Sequence, residues 1–206
     1  MADFKLKGDK NPKIKSRDGD TTIKFYLSKE DLSDPETFES FIKSCELLIR
    51  KDPRYANYIG HLKNCGLRQS AMFSGINDDM VRIEMHHGPI FNLYDLCSIV
   101  IDHLLEDGEK ICTFDIAEDI LDEHEDNNIQ VVMLDKTSHE LAHSGKIFIH
   151  FKQSVGNIME FIKKYKKGIK REHLYTLNEY IDLCKDNDAT DNGFLEVCKR
   201  VTKYVK

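Results

Sequence analysis

Apolar residues recur at helical spacing over most of the chain. Phe38, Phe41, Ile42, Cys45, Leu48 and Ile49 fall three and four apart, which predicts a helix from the Ser33-Asp34-Pro35-Glu36 start to about Lys51. Asp52-Pro53 stops it. A shorter helix is expected over Tyr55 to Cys65, with Gly66 as its C-terminal stop. Leu93, Leu96, Cys97, Val100, Ile101 and Leu104 form one stripe of a helix over Asn92 to Leu105. Ile116, Ala117, Ile120 and Leu121 are the inward face of another, capped at Thr113. Val155 to Tyr165, Glu172 to Cys184 and Phe194 to Val205 read as three more helices.

The period changes to two at Val81, Ile83 and Met85, which alternate with Arg82 and Glu84. That predicts a half-buried strand ending at His86-His87 and broken by Gly88-Pro89. Ala71 to Gly75 is its expected hairpin partner, across Ile76-Asn77-Asp78-Asp79. Thr21 to Leu27 and Ile129 to Leu134 read as further strands, and Ile147 to Phe151 as a strand or extended segment. Residues 1–20 are rich in Lys, Asp and Gly and are expected to be extended or mobile. Thr137-Ser138-His139-Glu140 has the capping-box pattern, so a short helix should begin there and end at Ser144-Gly145.

Composition narrows the class. The 206 residues are 40% apolar, enough for a packed core, and the net charge of −6 gives no general pull toward phosphate. Any nucleic-acid contact has to come from a local patch or a metal. The six cysteines form no C-x-x-C pair and read as reduced core residues of an intracellular protein. The polar start predicts no signal peptide, and no apolar run is long enough to span a bilayer. The expectation is a cytoplasmic protein of a bacterial or phage-infected cell, without membrane contact. Between Asp102 and Asp126 there are eleven acids and one base, Lys110, which reads as a solvated outer face. Lys163, Lys164, Lys166, Lys167, Lys170 and Arg171 form the dense basic cluster. The first four are candidate nucleic-acid-binding residues. The plainer reading is a helix end with cations favourably placed at its C-terminus.

Four of the nine histidines stand in two tight groups. His139 and His143 are four apart on the short helix, so both imidazoles face one side. His86, at the end of a strand, can complete a three-histidine site with an open position, the arrangement used for metal-assisted hydrolysis. His87 points the other way along an extended backbone. It can act as general base on a water, with Asn127 or Asn128 holding it in one orientation. Three neutral nitrogens suit Zn²⁺, Ni²⁺ or Mn²⁺ better than Mg²⁺. His61, His103, His124, His150 and His173 have no partner at readable spacing and are expected to be structural or surface residues.

The set Glu84-Met85-His86-His87-Gly88-Pro89, then Asn128 to Leu134, then His139-Glu140-Leu141-Ala142-His143 resembles the HNH endonucleases, the ββα-metal or His-Me finger family. The resemblance covers Met80 to Ser144. It implies an endonuclease that hydrolyses nucleic-acid phosphodiester bonds, with DNA the expected substrate. His86, His139 and His143 would hold the divalent cation (Zn, Ni, Mn or Mg), His87 would be the general base and Asn128 its orienting residue. The small, Lys-rich, charged chain also resembles bacteriophage proteins that carry such a core. The implied fold is α+β: a mainly helical chain with a small ββα-metal core. Residues 1–70 would be an extended segment plus helices, 71–152 the core with a helical insertion at 91–125, and 153–206 a C-terminal helical region.

Two other readings compete. His139-Glu140-Leu141-Ala142-His143 is also an H-E-x-x-H string, which resembles the zincin metalloproteases, with Glu140 as base. In zincins the string lies within a long helix, whereas here His139 falls in the first turn and Gly145 follows at once. The other alternative is a phage-type protein with a degenerate HNH core that binds a partner and catalyses nothing.

Overall fold

The computed structural model describes residues 13–16, 19–22, 25–189 and 194–204. It is α+β. Two short strands, β1 (Lys13–Ser16) and β2 (Gly19–Thr22), form an antiparallel hairpin. Then follow α1 (Pro35–Lys51), α2 (Pro53–Asn64), β3 (Ile83–His87), α3 (Leu93–Glu106), α4 (Thr113–Glu125), β4 (Val131–Asp135), α5 (Lys136–His143), α6 (Ile158–Lys164), α7 (Arg171–Asp186) and α8 (Phe194–Tyr204). Single 3-10 turns occur at Phe151–Gln153 and Lys166–Gly168.

The helix ends follow local chemistry. The Asp34 carboxylate accepts from the Thr37 N–H at 2.9 Å, and Pro35 takes the first helical position, where its missing N–H does no harm. Asp52 ends α1 and caps α2 by accepting from the Arg54 N–H at 2.8 Å. Asn92 and Asp95 form a reciprocal capping box at α3. Helices α3 and α4 pack on α1, and α2 packs on α4. Ile42, Ile49, Leu62, Leu96, Ile99 and Ile116 are fully enclosed between them. One cluster of buried apolar side chains runs from Leu32 to Val201. Three cysteines, Cys45, Cys97 and Cys198, pack in it as buried thiols, and Cys112 is buried at the start of α4. No helix among the described residues is long and apolar enough to cross a membrane.

The sheet that positions the histidines is β3 paired antiparallel with β4, Ile83 opposite Asp135 and His87 opposite Val131. Every residue of β4 is buried. Helices α3 and α4 lie between the two strands in sequence, and α5 follows β4 without a gap.

Several sequence expectations are corrected. The partner of β3 is β4, not Ala71 to Gly75. That segment is irregular, and Ala71 donates its N–H to the Met133 carbonyl at 2.9 Å. β4, apolar from Val131 to Leu134, gains more by pairing in the core than a local hairpin would. Of the strand expected over Thr21 to Leu27, Thr21 and Thr22 lie in β2, residues 23–24 lie outside the described residues, and Leu27 makes an isolated bridge to Ile111. Ile147 to Phe151 is not a strand. Its end turns into the 3-10 segment because the Lys152 N–H donates to His150 Nδ1 at 3.0 Å. The cap of α5 is Asp135, not Thr137. Glu123 and His124 are completely buried, so the acidic stretch is not solvated throughout. Residues 1–12 and Val205 lie outside the described residues.

Gly156 holds the chain against the start of β4. At φ +108°, a Cβ there would sit 2.1 Å from the Ile129 carbonyl oxygen, which is backbone and cannot yield. Gly156→Ala is expected to destabilise by about 3 kcal/mol or more, a fall in melting temperature of roughly 6–12 °C. Gly75→Ala meets nothing within 4 Å and bears only the strain of φ +78°, so about 1 kcal/mol is expected. Thermal melts of the two variants check the difference.

Candidate metal centre

Alternation along β3 puts Glu84 and His86 on one face of the strand and His87 on the other. Helix α5 crosses the first face. It starts where it does because Asp135, the last residue of β4, accepts from the Ser138 N–H at 3.1 Å and the Ser138 hydroxyl at 2.6 Å. The Ser70 hydroxyl holds the same carboxylate at 2.7 Å. From that start His139 and His143 are on the turn facing His86.

One nitrogen from each of His86, His139 and His143 lies within 4.8 Å of the other two. His139 Nε2 and His143 Nε2 are 3.1 Å apart. Two nitrogens bound to one tetrahedral zinc, each about 2.0–2.1 Å from it, stand about 3.3 Å apart. The pair therefore has the spacing of metal ligands before any adjustment.

The protonation of the site can be read from its partners. His139 Nδ1 is 2.7 Å from Glu84 Oε2. A carboxylate only accepts, so Nδ1 carries a proton, and in the neutral ring Nε2 presents its lone pair. This is the carboxylate–histidine pairing that orients metal-binding imidazoles. Arg82 holds Glu84 at 3.2 Å. The hydrogen bond from His139 keeps the Glu84 carboxyl below the usual range. His86 is buried, and its Nδ1 has no hydrogen-bond partner among the described residues. Burial, then the neighbouring His139 and His143, push the His86 imidazole down to about 4. Burial, followed by His139, lowers His143 as well. A neutral imidazole is the form that binds a metal. Three ligands leave a further coordination position. His86 also lines a cleft of about 580 Å³, with Lys146, Phe148 and Tyr180 among its other walls.

The remaining candidates lie elsewhere. His87 is buried on the far side of β3, stacked against Tyr55, with its Nε2 3.0 Å from His124 Nε2. His124 Nδ1 is 2.7 Å from the Ile120 carbonyl and must donate to it, so His124 Nε2 accepts and His87 Nε2 donates. His87 is thus enclosed in the core with its Nε2 proton directed to His124, on the face of β3 away from the three imidazoles. Asn128 donates to Glu123 Oε2 at 2.8 Å and orients that buried carboxylate instead. The Asn127 side chain oxygen accepts from the Tyr58 hydroxyl at 3.4 Å. Lys163 pairs with Glu160 at 3.7 Å, Lys164 with Glu123, and Lys167 with Asp107, so three of the four candidate nucleic-acid lysines are engaged by acids of the same chain. Lys166 lies in the 3-10 turn beside them. Glu140 is exposed and pairs with Lys136 at 3.8 Å on the outer side of α5, away from the position a zincin base would need. Sequence reasoning missed Glu84 and His124. Glu84 was within reach, since it stands two residues before His86 in an alternating strand. No sequence spacing signals His124.

A family model described as "Bacteriophage G278-like virion protein" matches residues 1–205. The chain belongs to this family. The expected phage origin is met; the HNH endonucleases are not the family that matches. No curated protein and no solved structure matches the chain.

The His87–His124 pair makes this G278-like protein acid-sensitive. Burial pushes His124 down to about 4. Unfolded, it titrates near about 6.5. The unfolded chain therefore binds the extra proton as pH falls through that window, and stability present above about pH 6.5 is lost toward pH 4, by about 3 kcal/mol for His124 alone. His124→Gln, which can still donate to Ile120 and accept from His87, is expected to lose about that much less across the same window. Urea titrations at pH 7 and pH 4.5 measure this. Equal losses would place the proton uptake elsewhere.

Proposed function

We propose that the chain is a bacteriophage virion component that holds a transition metal at His86, His139 and His143 and uses it to hydrolyse nucleic-acid phosphodiester bonds. The carrying observation is the convergence of the three imidazoles within 4.8 Å on a strand–strand–helix unit. The order of the elements, the neutral nitrogen donors and the cleft beside His86 support it. The family's description supports action in the particle or during infection.

The donor set favours Zn²⁺, Ni²⁺ or Mn²⁺ over Mg²⁺. A bound ion of this kind supplies positive charge at the phosphate and lowers the pKa of a water toward neutrality. Such a centre needs no separate imidazole base, which agrees with the burial of His87. Glu84 fixes the His139 tautomer, and the exposed Lys146 at the cleft is placed to offset phosphate charge.

Protein purified without a tag is expected to contain about one transition-metal ion per chain by elemental analysis and to nick negatively supercoiled plasmid DNA, whose torsion opens unpaired stretches. His143→Ala should remove both the metal and at least 100-fold of the nicking rate. Glu84→Gln should weaken metal affinity about 10- to 100-fold. His87→Gln, which keeps a donor toward His124, should retain nicking within about tenfold where it folds. Loss of nicking with metal retained in that variant would restore the base role to His87. Metal without nicking would reduce the centre to a structural staple between β3 and α5, and absence of metal would overturn the reading.

A further inference from the structure

We infer that the cleft beside His86 takes an unpaired nucleotide, so that the substrate is single-stranded nucleic acid: the base lies against Phe148 and Tyr180, and the phosphate lies toward Lys146 and the three imidazoles. The inference rests on the reading of the centre as a phosphodiester hydrolase and names its substrate.

The first support is charge. In a chain of net charge −6, none of the residues lining this cleft is acidic, and Lys146 is among them. Its ammonium has no carboxylate within ion-pair distance among the described residues, unlike Lys163, Lys164, Lys167 and Lys170. A hollow that is free of acids and carries an uncommitted cation selects an anionic ligand.

The second is the aromatic part of the lining. The Phe148 and Tyr180 rings are stacked, with centroids 5.5 Å apart and planes at 24°. The Tyr180 hydroxyl donates to the Ile149 carbonyl at 3.1 Å, which fixes the pair to the segment after α5. Both rings are only half-buried, and Asn187 at the rim adds an amide able to meet a base edge. Aromatic faces beside a cation suit unstacked bases, because every base has a π-face. In a duplex those faces are covered by the neighbouring pairs. The volume, about 580 Å³, is within the range of roughly 300–1,000 Å³ for sites that enclose a small molecule. A second hollow, about 300 Å³ between Phe91, Tyr94 and His173, has its lysine, Lys170, held by Asp102 at 2.6 Å.

The test measures binding apart from cleavage. Full-length protein as purified is titrated into a fluorescein-labelled phosphorothioate oligothymidylate, which resists hydrolysis, and into a phosphorothioate duplex of the same length, with anisotropy as readout. The single strand is expected to bind at least about tenfold tighter than the duplex, and Phe148→Leu to weaken it by about tenfold. Lys146→Gln should lower the salt slope by about 0.7. The chain has no tryptophan, so Phe148→Trp places a single reporter in the wall, expected to retain binding with its emission quenched by the single strand. Equal or tighter duplex binding, unchanged affinity in Phe148→Leu, or unquenched Phe148→Trp emission at saturation would each overturn the inference. Binding without nicking leaves the cleft assignment standing and removes the hydrolase reading. Nicking without single-strand preference does the reverse.

Discussion

The register of β3 on β4 is the constraint on which the site depends. Ile83 faces Asp135, and Asp135 is both the last residue of β4 and the cap of α5. The pairing thus fixes where α5 begins, and the start of α5 fixes which turn carries His139 and His143 toward His86. A slip of one residue would exchange the faces of β3. Met85 and His87 would then meet α5, while Glu84 and His86 would be driven into the core. Two features oppose such a slip. Every residue of β4 is buried, so its apolar side chains fit one alignment, and Asp135 has its hydrogen bonds to Ser70 and Ser138 only in this one.

The two adjacent histidines show how one strand can serve two environments. His86 faces the imidazoles of α5 with an unpartnered Nδ1, whereas His87 is packed among Tyr55, Tyr58 and His124. An imidazole enclosed in the core must be neutral and hydrogen-bonded, because burying its charge without a partner costs several kcal/mol. The His87–His124–Ile120 chain satisfies this with one proton on each ring. Glu123 solves the opposite problem. It is a fully buried carboxylate, and Asn128, Lys164 and the Tyr165 hydroxyl surround it with donors. Residues read in the sequence as catalytic, His87 and Asn128, or as nucleic-acid-binding, Lys164, are therefore engaged with buried polar groups of the chain's own core.

That division explains how much of the molecule was legible in the sequence. The long helices were readable because capping and periodicity act within one segment: α1 begins at the expected Pro35 and ends at the expected Lys51. The three-histidine set was readable because i, i+4 spacing and strand-end placement are also local. What could not be read were the contacts made across the fold. The pairing of β3 with β4 spans two helices, and the meeting of His87 with His124 depends on how α4 packs over the sheet. Glu84 lies between these cases. Its position on the His86 face follows from strand alternation, but its partner on α5 does not.

The electrostatics of the chain turn on the same distinction between composition and placement. An acidic protein that is to bind a polyanion has to keep its carboxylates away from the phosphate, and eleven of the 36 acids here lie in α3, α4 and the turn between them, where Arg54, Lys164, Lys167 and Lys170 engage several of them. Four members of the lysine cluster, Lys163, Lys164, Lys167 and Lys170, are thereby paired with the chain's own acids. The lining of the cleft at His86 has the reverse character, one lysine and no acid, although Lys146 belongs to no basic run in the sequence. A single cation in a hollow without carboxylates sets the local potential more strongly than several cations that are already paired. On the proposed reading, the place where a polyanion can approach is decided by which charges remain uncommitted, and that favours the cleft at His86 over the lysine-rich segment.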